Sequence, residues 1–323
     1  MQSALTDLVK GQPFEGVLLV KAAEQRTASN GTKYLDMTLG DRSCDVNSKM
    51  WDGVMPPPKP STVVKVRAVM LEYNGRAQMR VDKMRVVADD EVVDMSLLVP
   101  CAPYPASEME AAIFARAELI KDPALRALVL ARLIEVQPYL EYYPAAQKLH
   151  HAERSGLLHH TSTMLKAAAA LCEIYRHLDA DLLAAGVILH DICKVTEMNA
   201  TEIGLATDYT LEGMLIGHLV QGVAEIQRVG KAVGVDPELL VMLSHMILSH
   251  HDRPEYGSPK PPMFPEAEVL HVLDLLDARM YEMNQALTAV PPGTFTDRIW
   301  SLERKLYRRK ETGDGGDGKG LCP

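Results

Sequence analysis

Two units of different class follow one another in this sequence, a small all-β unit and then an all-α unit, so the chain reads as a multi-domain α+β protein. Three observations carry that reading. Runs of β-branched or alternating residues fill the stretch from Phe14 to about Val87. Beyond it, apolar residues recur at three- and four-residue intervals, the spacing of helices with one buried face. All eleven histidines lie between His150 and His271, none in the first 149 residues, so the second unit concentrates the imidazole chemistry.

The β unit, residues 1–95, contains five strand-like runs: FEGVLLVKAAEQ, TKYLDMTLG, RSCDVNSKMW, STVVKVRAVMLEY and AQMRVDKMRVV. Two connections carry Asn-Gly, at Asn30-Gly31 and Asn74-Gly75, a dipeptide that accepts positive φ at both turn positions and so suits a twisted hairpin. PPPKP, residues 56–60, cannot sit in a central strand and must be the long connection between the third and fourth runs. Five strands with that crossing predict an OB-fold barrel. Such barrels hold oligonucleotides on the face of strands 2 and 3, between the 1–2 and 4–5 loops. Lys33, Tyr34, Arg42, Lys49 and Trp51 lie on or near that face and offer charge and stacking surface. Taken singly, such an aromatic is more often core and such a lysine merely solvated; only the set suggests nucleic acid.

VPCAPYPASEME, residues 99–110, has three prolines and reads as an interdomain linker, the start of a connecting region over 96–149. Helical runs then fill a unit over 150–290, among them TSTMLKAAAALCEIYRHL, DADLLAAGVILH, LEGMLIGHLVQGVAEIQRVGKAV, PELLVMLSHMILSHH and EAEVLHVLDLLDARMYEMNQAL. Strand-like runs are scarce there. Residues 291–323 close the chain with a glycine-rich stretch, ETGDGGDGKGLCP, read as disordered.

Composition narrows the classes. With 323 residues, 47% hydrophobic and 24% charged, the chain is long enough for two cores. Its first residues lack the layout of a secretion signal, and no uncharged apolar run is long enough for a membrane span, so the cytoplasm is expected and no membrane partner. Five scattered cysteines without a C-x-x-C pair argue against a disulfide framework and against a thiolate zinc knuckle. The net charge of −9 is uneven: residues 1–95 hold thirteen basic and thirteen acidic residues, leaving the excess acid to the helical unit. Bound cations would let that acidic unit handle a polyanion. No Walker motif or G-x-S-x-G elbow appears, which leaves triphosphate motors and serine hydrolases without support.

His160, His190, Asp191, His218, His250, His251 and Asp274 each sit inside or at the edge of an apolar helix. Buried imidazoles and carboxylates are costly unless paired or metal-bound, and a divalent cation explains all of them together. Imidazole and carboxylate without thiolate suit manganese, iron, cobalt, nickel or zinc. His190 and Asp191, about 100 degrees apart on a helix end, can both turn towards one centre, with Asp191 able to bridge two ions. Lys194, one turn on, is placed to hold a phosphate oxygen. His150, His151, His159, His177, His245 and His271 read as surface, capping or supporting groups, and Asp277 rivals Asp274 as the last ligand.

These residues carry a resemblance. HDICK with upstream GLLHHT, downstream GHL and SHH, and Asp274 in LDLLDARM resembles the HD superfamily of metal-dependent phosphohydrolases. Together with LLVKAAEQRTASNGTKYLDMTLGDRSCDVNSKMWD, the chain from about residue 10 to 285 is similar to the YhaM-type 3'-5' exoribonucleases, an OB-fold before an HD domain. The resemblance implies His160, His190, Asp191 and Asp274 as ligands of one metal and His218 and His250 as ligands of a second, with His251 a further candidate beside them. It assigns catalysis to Asp191 with Lys194 on phosphate, and implies one or two ions, manganese first. Single-stranded RNA is the partner implied, with single-stranded DNA and a homo-oligomer left open. Two positions depart from the family: Cys193 stands where glycine is usual in HD-x-G-K, crowding Lys194, and Cys44 stands at a barrel turn where glycine is common. Two other readings remain: an HD phosphohydrolase acting on a cyclic dinucleotide or a deoxynucleoside triphosphate, and a nucleic-acid-binding protein with a retired catalytic unit.

Overall fold

The computed structural model describes residues 2–51, 55–88 and 90–310. Strands β1 (Pro13–Thr27), β2 (Lys33–Gly40), β3 (Asp45–Met50), β4 (Val63–Tyr73) and β5 (Arg76–Val86) close into a barrel in the order β1-β2-β3-β5-β4. Only β3 and β5 pair in parallel, which is what the long connection through PPPKP permits. This is the OB arrangement. A register shift in β1 between Val20 and Ala22 lets one strand pair with both β2 and β4. Alternate residues, among them Leu18, Leu35, Met37, Leu39, Val64, Val66 and Met79, fill the barrel's core.

The two Asn-Gly turns differ. Asn74 and Gly75 both have positive φ, 50° and 74°, as a two-residue hairpin between right-twisted strands requires. At the other, only Gly31 does, at 85°. Ala28 and Thr32 close a wider loop there, with a hydrogen bond from Ala28 N to Thr32 O at 2.9 Å, so the turn demands left-handed backbone once rather than twice. The glycine-rich end, 311–323, falls outside the described residues.

Nine helices among the described residues form the second unit: α1 (Ala106–Glu118), α2 (Pro123–Leu140), α3 (Gly156–Ile174), α4 (Ala180–Leu189), α5 (Lys194–Glu197), α6 (Leu211–Leu215), α7 (Gly217–Val233), α8 (Pro237–Ser249) and α9 (Pro265–Thr288). Asp179 caps α4 by accepting from the N–H groups of Asp181 and Leu182, and Asp236 caps α8 likewise, with Pro237 in its first turn. Every residue of α4 from Leu182 to Leu189 is buried. A helix apolar on all sides belongs in the middle, and α4 packs against α1, α2, α3, α8 and α9. The run LEGMLIGHLV, expected as one helix, breaks at Gly217, whose φ of 76° starts α7 in a new direction. A short hairpin, β6 (Met198–Ala200) with β7 (Ala206–Tyr209), interrupts the helices where strands were not expected.

The proline-rich stretch 99–110 is not a loose tether. Leu98 and Val99 are buried with Leu19 of the barrel and Ile203 of the helical unit, and α1 begins at Ala106. Arg154 N donates to Pro100 O, and Ala102 N to Arg154 O, both at 2.9 Å. Burying side chains of this size is worth roughly 1.5–3 kcal/mol each, enough to hold the barrel against the helices. No helix of the described residues is long and apolar enough to cross a membrane.

Candidate metal centre

The elements that meet at α4's C-terminal end bring one group from each of several helices to a common point. His190 caps α4 and Asp191 follows it; His160 comes from α3, Lys194 from α5, His218 from the start of α7, His250 and His251 from the end of α8, and Asp274 from α9. His160 Nε2 lies 3.2 Å from His190 Nε2 and 3.3 Å from Asp274 Oδ1. Asp191 stands between two sets of imidazoles. Its Oδ2 is 3.3 Å from His190 Nε2 and 3.7 Å from His160 Nε2, while its Oδ1 is 3.4 Å from His218 Nε2 and 3.8 Å from His250 Nε2. His251 offers a nitrogen to the His218 and His250 side.

Why these rings face inward is written on their other nitrogens. His190 Nδ1 donates to Val187 O, His250 Nδ1 to Ile247 O and His251 Nδ1 to Tyr256 O, each at 2.8 Å. His218 Nδ1 donates to Glu197 Oε1 at 2.8 Å and His160 Nδ1 to Asp277 Oδ2 at 2.7 Å. Carbonyls and carboxylates only accept, so each of the five rings carries a proton on Nδ1, and each, when neutral, presents its Nε2 lone pair to the centre. Lone pairs facing lone pairs repel. Asp191 Oδ1, His218 Nε2 and His250 Nε2 are buried with no hydrogen-bond partner, an arrangement that costs free energy unless a cation fills it. The donor set, imidazole and carboxylate without sulfur, suits a divalent transition metal.

Charge follows the same logic. Burial opposes ionisation of Asp191, but the Lys194 ammonium, with Nζ 2.6 Å from Oδ2, holds its pKa well below the usual range. Burial likewise opposes Asp274, and His160 beside it pulls its pKa down. Burial, with His251 adjacent, keeps His250 neutral. His160 is the exception: burial opposes its charge, yet Asp274 and Asp277 together raise its pKa to about 10. Below that pH a cation must displace a proton from Nε2. Metal affinity should therefore rise with pH, by about tenfold per unit between pH 7 and pH 9.5, and level off above pH 10. Competition with a chromophoric chelator measures this; an affinity flat with pH would mean that no proton on His160 competes with the cation.

The expected residues thus fall into place unequally. His160, His190, Asp191, Lys194, His218, His250, His251 and Asp274 lie together. Asp277, the rival for last ligand, instead supports His160 from behind. Glu197 was not expected at all; its Oε1 also accepts from His218 N at 3.0 Å, and nothing in KVTEM marks it. His151 is buried at 2% exposure, not a surface group, and of the six lesser histidines only His177 is exposed. Cys193 does not crowd Lys194: its φ of −80° needs no glycine, and its thiol lies by Arg132 Nη2 at 3.6 Å.

On the barrel, Tyr34 and Trp51 stack with ring centroids 4.6 Å apart, and Lys49 Nζ stands 5.3 Å from the Tyr34 ring. Tyr73, 63% exposed, joins them through the same ammonium at 5.9 Å. Exposed Lys33 adjoins Tyr34 at the start of β2. Arg42 does not belong to this group. It follows β2's far end, where its N–H donates to Leu97 O at 2.8 Å, so its backbone is committed to the domain junction.

Comparisons with known proteins agree with this layout. The family described as HD domain matches residues 157–279, which hold the whole cluster from His160 to Asp277. Among solved structures, the second OB-fold domain of replication protein A from Methanococcus maripaludis aligns with 29% of this chain and all of its own, at 15% identity and a TM-score of 0.24. A replication protein A heterotrimer bound to ssDNA aligns with 26% of this chain and 64% of its own, at 20% identity and a TM-score of 0.21. At such scores no functional meaning attaches to either. The 3'-5' exoribonuclease YhaM of Bacillus subtilis (strain 168) is 38% identical over 300 residues, 92% of this chain and 95% of that protein. At that identity over nine-tenths of both chains, the chain belongs to the family of the YhaM 3'-5' exoribonuclease.

Proposed function

We propose that this protein is a metal-dependent 3'-5' exoribonuclease that hydrolyses single-stranded RNA to nucleoside 5'-monophosphates. The observation that carries the reading is Asp191, whose two oxygens face two separate sets of inward-turned imidazoles. We assign His160, His190, Asp191 Oδ2 and Asp274 to one divalent ion and Asp191 Oδ1, His218, His250 and His251 to a second, with manganese the expected metal. Ions so held would supply an activated water, polarise the phosphoryl group and neutralise the leaving oxygen. Water would add to the last phosphorus as its bond to the neighbouring O3' breaks, so the phosphate would stay on the 5' oxygen of the released nucleotide and the shortened strand would keep a 3'-hydroxyl.

The chain's own groups hold that reaction in place. Glu197 and Asp277 fix the rings of His218 and His160. Lys194, whose ammonium lies 2.6 Å from Asp191 Oδ2, would neutralise substrate charge beside the ions. Tyr34, Trp51 and Lys49 hold the strand by stacking and backbone charge, within a unit we place at 1–95 that feeds the hydrolytic unit at 150–290, against which α1 and α2 of the connecting region pack. The unpaired cysteines Cys44, Cys101, Cys172 and Cys193 fit a reducing compartment, the cytoplasm.

The test is a ladder assay on 5'-end-labelled RNA. Full-length protein with manganese should shorten the label one nucleotide at a time and release 5'-monophosphates, stop with chelator and resume on adding the metal back. RNA left intact with manganese, cobalt and zinc, while a cyclic dinucleotide or a deoxynucleoside triphosphate is hydrolysed, would overturn the reading in favour of a small substrate.

A further inference from the structure

Behind Asp277 lies a second convergence of donor atoms that the hydrolytic centre does not use. The loop entering α3 contributes His151 and Glu153, and α3 contributes His159. His151 Nδ1 is 3.1 Å from His159 Nδ1 and 3.5 Å from Glu153 Oε1, and His159 Nδ1 is 2.8 Å from the same oxygen. Three ligand atoms around a zinc-sized ion, at bond lengths of about 2.0–2.1 Å in a tetrahedron, would stand about 3.3 Å apart. The observed spacings bracket that value.

Proton counting favours a cation over a hydrogen-bond cluster. Asp277 Oδ2, an acceptor, lies 2.7 Å from His151 Nε2, so a proton sits on Nε2, and in the ring with one proton Nδ1 offers a lone pair. Tyr281 donates its hydroxyl to Glu153 Oε2 at 2.9 Å, leaving Oε1 turned inward. In that tautomer one proton, on His159 Nδ1, has to serve both the Glu153 oxygen and the His151 nitrogen. A cation would satisfy all three atoms, and the carboxylate behind His151 and the hydroxyl behind Glu153 are the supports that metal ligands need.

The backbone is also held against its preference here. His151 and Ser155 have φ of 51° and 61°, left-handed values that cost a non-glycine residue free energy. The His151 and Glu153 side chains are 2% and 4% exposed and His159 14%, so a water can reach the fourth position past His159. We propose that His151 Nδ1, His159 Nδ1 and Glu153 Oε1 form a separate three-ligand site for a divalent cation, with zinc the expected ion. It pins the loop whose Arg154 pairs with the backbone of Pro100 and Ala102, and so fastens the domain junction.

Zinc bound to metal-stripped, full-length protein, counted by dialysis and mass spectrometry, tests this. His159→Ala and Glu153→Gln should each hold one zinc fewer than wild type, with unchanged circular dichroism, and should lose part of the zinc-dependent rise in Tm. In the His190→Ala/His250→Ala protein, disabled at the hydrolytic centre, adding His159→Ala should still remove one zinc. The count decides the matter whether or not RNA is trimmed. Equal zinc in wild type and both single variants, or no loss on adding His159→Ala to the double variant, would overturn the proposal and leave a hydrogen-bonded cluster.

Discussion

Asp191→Asn is expected to lower the rate of RNA trimming by on the order of a thousandfold or more, equivalent to about 4 kcal/mol in the barrier. The substitution keeps shape and removes charge. Asp191 is the group that touches both sets of imidazoles, with Oδ2 towards His160 and His190 and Oδ1 towards His218 and His250. An amide nitrogen cannot act as a ligand where the carboxylate oxygen did, and its protons would meet the Nε2 lone pairs instead. The loss should appear in metal content as well as in rate. Single-turnover trimming and metal analysis of the same preparation measure both; activity within tenfold of wild type would remove Asp191 as the bridge. Folding is a lesser concern, because the amide can hydrogen-bond to the imidazoles that the carboxylate left unsatisfied.

The second large effect belongs to the barrel. Stacking of a base on an aromatic side chain is worth roughly 1–3 kcal/mol, so Tyr34→Ala with Trp51→Ala should weaken binding of an RNA longer than a few nucleotides by about ten- to a hundredfold or more. Because the two rings stack on one another at 4.6 Å, their contributions are coupled, and the double variant should lose less than the sum of the singles. The loss should fall on KM for long RNA and spare kcat for a dinucleotide. An unchanged KM would mean that the strand does not use this face.

Much of this was legible in the residues themselves. Alternation, two Asn-Gly dipeptides and a proline run define five strands and their order, because each feature reports a local backbone constraint. The inward imidazoles are legible as types that an apolar helix cannot hold without a partner. What stayed hidden is non-local. The Nδ1 partners that fix each ring are backbone carbonyls, or carboxylates such as Glu197, 21 residues from His218, and no spacing marks them. Asp274 and Asp277 share a helix face, and only the placement of α3 makes one face the centre and the other stand behind His160. The prolines of 99–110 signal a break in helix, correctly, but not the apolar partners Leu19 and Ile203 that bury the stretch. Arg42 is near the strand 2–3 face in sequence and at the wrong end of β2 in space.

The buried seam formed by Leu19, Leu98, Val99 and Ile203 makes the molecule a ruler. While that seam stays closed, one span separates aromatic stack and imidazole cluster, and a chain would need to bridge it to be gripped at both ends. Digestion by such an instrument would be expected to proceed in equal steps while the bridge lasts, then hand a short remnant back to solution.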